Sequence, residues 1–577
     1  MTIPGTPEQT LSRADTRRIS TTDVLLSLLA VLLLLFVLIL FLGYFSVMLA
    51  YGRSLFSFPF DYDQGEGFEL YDAIRLARGQ NIYLDNAAFP FYSSNYPPVF
   101  RLMLVPLIWL FGPHIWVGRV VAFATTLVTG GLIYLAARRQ LSTAIAAGSG
   151  FMRWRFAVIT VAVVAGLAFF ASNYVYEIAP LARAHMPMVM FAFAGIYCLD
   201  LALEPPYGTD RITVRRQSLT VALGVILLIV AGFTKLQAID AIAAGFLFLL
   251  IRKPRWFLVA LASSAIATAM LVVALNIWTH GGFWLNVVLA NVNEYDIERT
   301  WFYYGQWFQL EGVLIVCSVA YVTGDIVNAI RRRSLKSITV WSMYFVFGSA
   351  MGMLTGKWGA GPTYLIAAIA ASVVCTIGFL QRVADWLQNQ FSHARGKGQQ
   401  PGAFSVVSLS LLCAGAFTLQ ALLNVHMPTS GRLMGKVAAV AGLAGRTSYP
   451  PYPYYDSIGY TQLGHFLDPA DIQNGWKLVG IVRAAPGPVW SEEAMLTLNA
   501  GKDVVTNPTQ LLNLSKSGML DTSKMIAMIR DKAFGAAVFR AQFYPQDVMI
   551  AFGQNYHWVQ AIRMNGFDYQ VLFPNSK

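Results

Sequence analysis

Between Val24 and Ala50 the chain runs for more than 20 residues without a charged side chain. A hydrocarbon core about 30 Å thick takes roughly 20 such residues to cross as a helix. Inside lipid no water satisfies the peptide groups, so a stretch like this must be helical. A secretory signal would be shorter and would end at a small-residue cleavage site, and neither property fits. Ten further apolar segments follow, at 114–137, 156–172, 186–203, 217–234, 236–251, 256–278, 312–330, 338–355, 362–381 and 403–425. Of these, 156–172 and 236–251 are short for a span. The chain therefore reads as a polytopic α-helical membrane protein with about eleven membrane-spanning helices. Composition agrees: 56% of the 577 residues are apolar and only 12% charged, against roughly a quarter charged in soluble domains.

Basic residues set the expected orientation, because cytoplasmic loops collect Lys and Arg. Arg13, Arg17 and Arg18 precede the first span, and every second connection thereafter is basic. The clearest are Arg138 with Arg139, Arg215 with Arg216, Arg252 with Lys253, and Arg331 to Arg333. This pattern places the N-terminus in the cytoplasm and the C-terminus outside. It also accounts for the net charge of +12 as a topology signal, so nucleic acid is excluded as a partner. The organisation that follows is a cytoplasmic tail (1–23), a transmembrane domain (24–425) with outer loops at 51–113 and 279–311, and a soluble extracytoplasmic α/β domain (426–577). In that last domain Val479–Val482, Ala536–Phe539 and Tyr569–Phe573 read as strands. Pro508–Ser517, Thr522–Lys532 and Gln546–Asn555 read as helices. The apolar run Val99–Phe111, too short to span, is expected to lie in the membrane interface. Cys198, Cys317, Cys375 and Cys413 all fall within spans, which points to buried thiols rather than disulfides.

The densest chemistry lies about ten residues beyond the first span, in Asp61-Tyr62-Asp63-Gln64-Gly65-Glu66-Gly67. Three carboxylates in six residues, with two glycines freeing the backbone, can serve as a general acid or base or hold a divalent metal. The bland alternative is a solvated loop before a helix, whose N-terminus favours acidic residues. Cationic side chains at the ends of apolar segments are the second signal. Lys235, Lys357, Arg183 and Arg299 all map to the outer boundary, where a charge is costly unless it has work to do or snorkels to water. No phosphate-binding glycine loop, nucleophile elbow or metal-spaced His/Cys set occurs.

Taken in order, several of these outer-side stretches resemble the GT-C glycosyltransferases of the bacterial type that uses polyprenyl-phosphate sugars. They are the acidic loop, Gly79-Gln80-Asn81-Ile82-Tyr83, Asn95-Tyr96-Pro97-Pro98, Phe233-Thr234-Lys235-Leu236-Gln237-Ala238, Gly281-Gly282-Phe283 with Asn291-Val292-Asn293, and Gly356-Lys357-Trp358-Gly359-Ala360-Gly361. Where many relatives carry Arg-x-Asp, this chain has Arg183-Ala184-His185. The resemblance implies a lipid-linked sugar donor, a glycan, lipid or protein acceptor, and transfer at the outer face of the cytoplasmic membrane. It implies a base, Asp63 first and Asp61 second, with Glu66 as a supporting or metal-binding carboxylate, and donor-phosphate contacts from Lys235, Lys357, Arg183, Arg299 and His185. Tyr96, Trp301 and Tyr304 are the expected substrate contacts, against the reading of such aromatics as an interfacial belt. A non-catalytic lipid-binding or assembly subunit of the same fold is the competing class. A transporter fits less well, since no paired halves with interrupted helices are visible.

A periplasmic-type reporter fused after residue 430 is expected to be active only outside the cytoplasm, and one near residue 335 only inside. Reversed signals at both sites would overturn the orientation.

Overall fold

In a computed structural model of the chain, the residues described are 21–141, 152–203, 214–291, 294–395, 401–424, 436 and 466–576. Most of the N-terminal tail and most of the link between the last apolar helix and the C-terminal region lie outside them. Among the described residues, eight helices are long and apolar enough to cross a membrane: Val24–Phe56, Ile115–Gln140, His185–Leu203, Arg215–Thr234, Pro254–Trp278, Ile297–Arg331, Pro362–Gln390 and Val406–Leu423. The remaining three expected segments are helical but shorter, at Phe156–Ala171, Ile239–Arg252 and Val340–Met351. The chain is a multi-pass membrane protein.

Apolar surface alone does not choose a partner in lipid, so close approach of helices rests on small side chains. The helices His185–Leu203 and Val214–Thr234 cross at Gly195 and Gly224. A Cβ on Gly195 would meet the Gly224 carbonyl oxygen at 2.9 Å, and one on Gly224 would meet the Gly195 oxygen at 3.0 Å. The helix Ile297–Arg331 replaces an expected loop: its first half lies in what reads as the loop 279–311. Asp296 caps it by accepting from the Glu298 and Arg299 N–H groups. It kinks at Glu311, whose φ/ψ is non-helical, and Gln420 Nε2 donates there to Leu310 O at 2.7 Å and to Glu311 Oε2 at 3.0 Å.

The first span is helix α1 (Thr21–Phe56). The loop after it folds into α2 (Glu66–Ala77), an extended turn, and α3 (Val99–Phe111), then enters α4 (Ile115–Gln140). Trp109, Leu110 and Phe111 of α3 are exposed, an apolar edge suited to the membrane interface.

The C-terminal region forms a small four-stranded sheet in the order β1-β2-β4-β3, with β1 Val489–Ser491, β2 Ala536–Phe539, β3 Tyr556–Met564 and β4 Phe567–Pro574. β1 and β2 are parallel and the other pairs antiparallel. Helices Pro469–Ala484, Pro508–Lys516, Ser523–Arg530 and Gln546–Asn555 surround it. Val479–Val482 is helical and not a strand. Asp468 and Asp471 form a capping box with Pro469 at the first turn, and Gly475, Leu478, Val479 and Val482 are buried at helical spacing. The cap and the 3.6-residue period outweigh a short β-branched run. The core of this region closes around Trp490, and Phe91 of the first loop packs into it at 6.0 Å between ring centroids.

Gly224→Leu forces side-chain atoms into the Gly195 backbone, and such overpacking costs about 1–3 kcal/mol. A lowered midpoint of thermal inactivation in detergent is expected. Gly415→Leu, at a position with nothing within 4 Å, is expected to leave the midpoint unchanged.

Candidate functional site

The acidic loop takes its shape from one ion pair. Arg119 of α4 and Glu66 at the start of α2 are both fully buried, with Nε–Oε1 at 2.9 Å and Nη2–Oε2 at 2.8 Å. The rest of the guanidinium gathers the carbonyl oxygens of Leu55, Phe58 and Phe60 at the end of α1. The carboxylate in turn accepts from the N–H groups of Tyr62, Asp63 and Ala182. Burial by itself would raise the pKa of Glu66; the Arg119 charge and these donors more than offset it and hold the carboxyl below its ordinary value.

Asp61 faces the other way. Its carboxyl accepts from Gly67 N at 2.6 Å and from Met495 N at 2.9 Å, tying the loop to the C-terminal region. Burial, with Glu493 close by, pushes its pKa well above the ordinary value. Asp63, between the two, is turned into a cavity of about 310 Å³. Arg183 meets it there, with Nε and Nη2 both directed at Oδ2.

The same cavity is lined by His185, Lys235, Arg299 and Tyr96. Lys235 is 5% exposed and has no carboxylate within 4.0 Å among the described residues. Its ammonium instead lies 5.4 Å from the ring centroids of Tyr96 and Tyr364 and 2.5 Å from His185 Nε2. With Nε2 accepting from the lysine, His185 Nδ1 carries the proton, and it has no hydrogen-bond partner. Arg299 donates from Nη2 to Ala360 O at 2.7 Å. Burial, with the Arg183 charge nearby, lowers the Lys235 pKa to about 7; a bound oxyanion would hold that amine charged and complete the unsatisfied N–H beside it.

Of the residues expected from sequence, Asp63, Arg183, His185, Lys235, Arg299 and Tyr96 are brought together. Asp61 and Glu66 line no part of the cavity, since backbone N–H groups and Arg119 occupy their oxygens. Lys357 lies just outside, its backbone paired with Tyr295. Trp301 is 64% exposed, and the Tyr304 hydroxyl donates to Ser349 O; neither reaches the cavity. Among the described residues no three His, Cys, Asp or Glu side chains are arranged to hold a metal ion. The structure adds Glu69 and Asp72 of α2, clamped by Arg101 of α3 at 2.7 and 3.3 Å. Burial lifts Glu69 to about 7 despite the Arg101 charge. One signal for this wall stood in the sequence: Arg101 is the lone charge in the otherwise apolar run 99–111. Asn507 and Phe543 also line the cavity, from the C-terminal region.

No protein-family model matches the chain, and no curated protein is significantly similar to it. Solved structures do match in shape. ArnT from Cupriavidus metallidurans, crystallised with undecaprenyl phosphate, superposes with a TM-score of 0.51 at 12% identity, over 92% of this chain and 97% of that one. The Archaeoglobus fulgidus oligosaccharyltransferase in its apo form gives a TM-score of 0.51 at 11% identity, over 91% of this chain and 73% of that one. Both are GT-C membrane glycosyltransferases. With more than nine-tenths of its length covered in each of these alignments, this chain has the GT-C fold.

Proposed function

We propose that the protein is an inverting glycosyltransferase that moves a sugar from a polyprenyl-phosphate donor to an acceptor hydroxyl at the outer face of the cytoplasmic membrane. The observation that carries this reading is the placing of Lys235, a buried cation with no carboxylate partner among the described residues, in one cavity with Asp63. ArnT, similar in fold, is known bound to undecaprenyl phosphate, a ligand whose head group suits such a cation. The alternating basic loops support an extracytoplasmic cavity.

The chemistry follows from the two ends of the cavity. The acceptor hydroxyl gives its proton to the Asp63 carboxylate while its oxygen bonds to the anomeric carbon. The bond from that carbon to the phosphate oxygen breaks, and its electron pair leaves with the phosphate. Phosphate is a good leaving group, so no general acid is needed. Lys235 holds the phosphate from the moment the donor binds, and the His185 Nδ1–H and Arg299 receive the growing negative charge. Attack from the face opposite the leaving group inverts the anomeric centre. A lipid-binding subunit without catalytic activity is favoured by one observation, the Arg183 ion pair that occupies Asp63.

Cells lacking the protein are expected to accumulate a lipid-linked sugar and to lose one glycan or modified product. The wild-type gene should restore both, and Asp63→Asn should restore neither, because loss of a general base typically costs about 10²–10⁴-fold. Full rescue by Asp63→Asn would return the protein to the non-catalytic class. Lys235→Gln is expected to raise the donor KM more than it lowers kcat, since the contact is made in ground state and transition state alike. An unchanged donor KM would assign Lys235 a structural role.

A further inference from the structure

Three ion pairs surround the acidic loop, and they differ in access. Arg119–Glu66 is sealed on both sides, and Arg101–Glu69 is 2% exposed at each partner. Arg183–Asp63, which faces the cavity, is the most accessible of the three, with 15% and 9% of the side chains exposed. Its guanidinium lies against Gly65, where a Cβ would sit 2.0 Å from Nη1. The loop has thus left room for this arginine where any larger residue would displace it.

Charge in the cavity is unevenly matched. Arg101 has two carboxylates and Arg183 has one, while Lys235 and Arg299 have none within 4.0 Å among the described residues. An anion arriving at Lys235 arrives near Arg183 as well, since both line the same cavity. A guanidinium offers two parallel N–H donors that fit phosphate as well as carboxylate. The donor phosphate is a diester with one negative charge, and it becomes a dianionic monoester when the sugar departs. Competition for Arg183 therefore increasingly favours the phosphate as the reaction proceeds.

We propose, resting on the donor reading above, that Arg183 exchanges partners: it holds Asp63 in the donor-free cavity and passes to the donor phosphate when the donor binds. Asp63 is then released to accept the acceptor proton only when there is a sugar to transfer. The exchange protects against a base left open to water. It also gives the arginine a second use, as a partner for the leaving group. The cavity-facing ion pair is in this view a latch on the base, closed by the empty site and opened by the substrate.

The test is carboxylate labelling of the full-length protein in lipid nanodiscs, with a water-soluble carbodiimide and an amine, read at single residues by mass spectrometry. Undecaprenyl phosphate and inorganic phosphate are the probes, and native mass spectrometry reports whether the lipid is bound. Bound undecaprenyl phosphate is expected to raise labelling of Asp63 several-fold and to leave Asp61 and Glu66, sealed in the same loop, unchanged. A rise with inorganic phosphate alone supports the exchange and assigns it to the head group. Arg183→Gln and Gly65→Ala, the latter keeping the charge but displacing it, should both show high Asp63 labelling without lipid. Lipid bound with Asp63 labelling unchanged or reduced overturns the exchange and leaves the donor reading standing. Absence of lipid binding overturns the donor reading itself. The wild-type comparison needs no variant to fold.

Discussion

Arg119 and Glu66 sit 53 residues apart in sequence and share no contact with solvent. Taking two such charges out of water is costly, and the cost is met only when every remaining donor and acceptor finds a partner. Here that condition is also the architecture. The guanidinium collects three carbonyls where α1 ends, and the carboxylate collects three N–H groups, two in the acidic loop and one before His185. The first span, the loop, α4 and the segment carrying Arg183 are thereby fixed to one point. Removing one partner of such a pair typically costs about 3–5 kcal/mol, and here the loss would fall on the segments that position Asp63 and Arg183.

From this point the loop distributes its carboxylates by surroundings rather than by type. Glu66 is a structural anion held ionised. Asp61, with its pKa raised by burial and by Glu493, ties the loop to the C-terminal region. Asp63 faces the cavity. Glu492 adds a clasp from the other side. Its carboxylate accepts from the N–H groups of Arg540, Ala541, Gln542 and Phe543 and from Gln64 Nε2. One carboxylate thus binds the residue next to Asp63 to the turn that brings Phe543 into the cavity.

The fold was open to reading because apolar length is a property of the linear chain: each expected segment is helical, whatever its final length. The cations of the cavity were also visible, as charges stranded at the ends of apolar runs. What could not be read was the division of labour among Asp61, Asp63 and Glu66. Three like residues within six positions differ only in what faces them, and Arg119, Met495 and Arg183 come from distant parts of the chain. The wall formed by Glu69, Asp72 and Arg101 stayed hidden for a related reason. On α2 alone the two acids look like a solvated helix face, and only α3 shows that they are buried. Val479–Val482 was misread because four β-branched or small residues outweighed a cap eleven positions earlier (Asp468).

Phe91 belongs to the first loop by sequence and to the Trp490 core by packing. The β-sheet region is therefore not a finished body set on top of the membrane domain, since one of its core side chains is made hundreds of residues earlier. On the proposed orientation, the acidic loop reaches the far side of the membrane early in synthesis and waits there without Met495, Glu492 or Trp490. Its walls close only after the last helix has inserted and the C-terminal segment has been exported. Assembly of the cavity then reports that translocation is complete, and a chain stalled part-way through insertion carries all its site residues in the loops but no site.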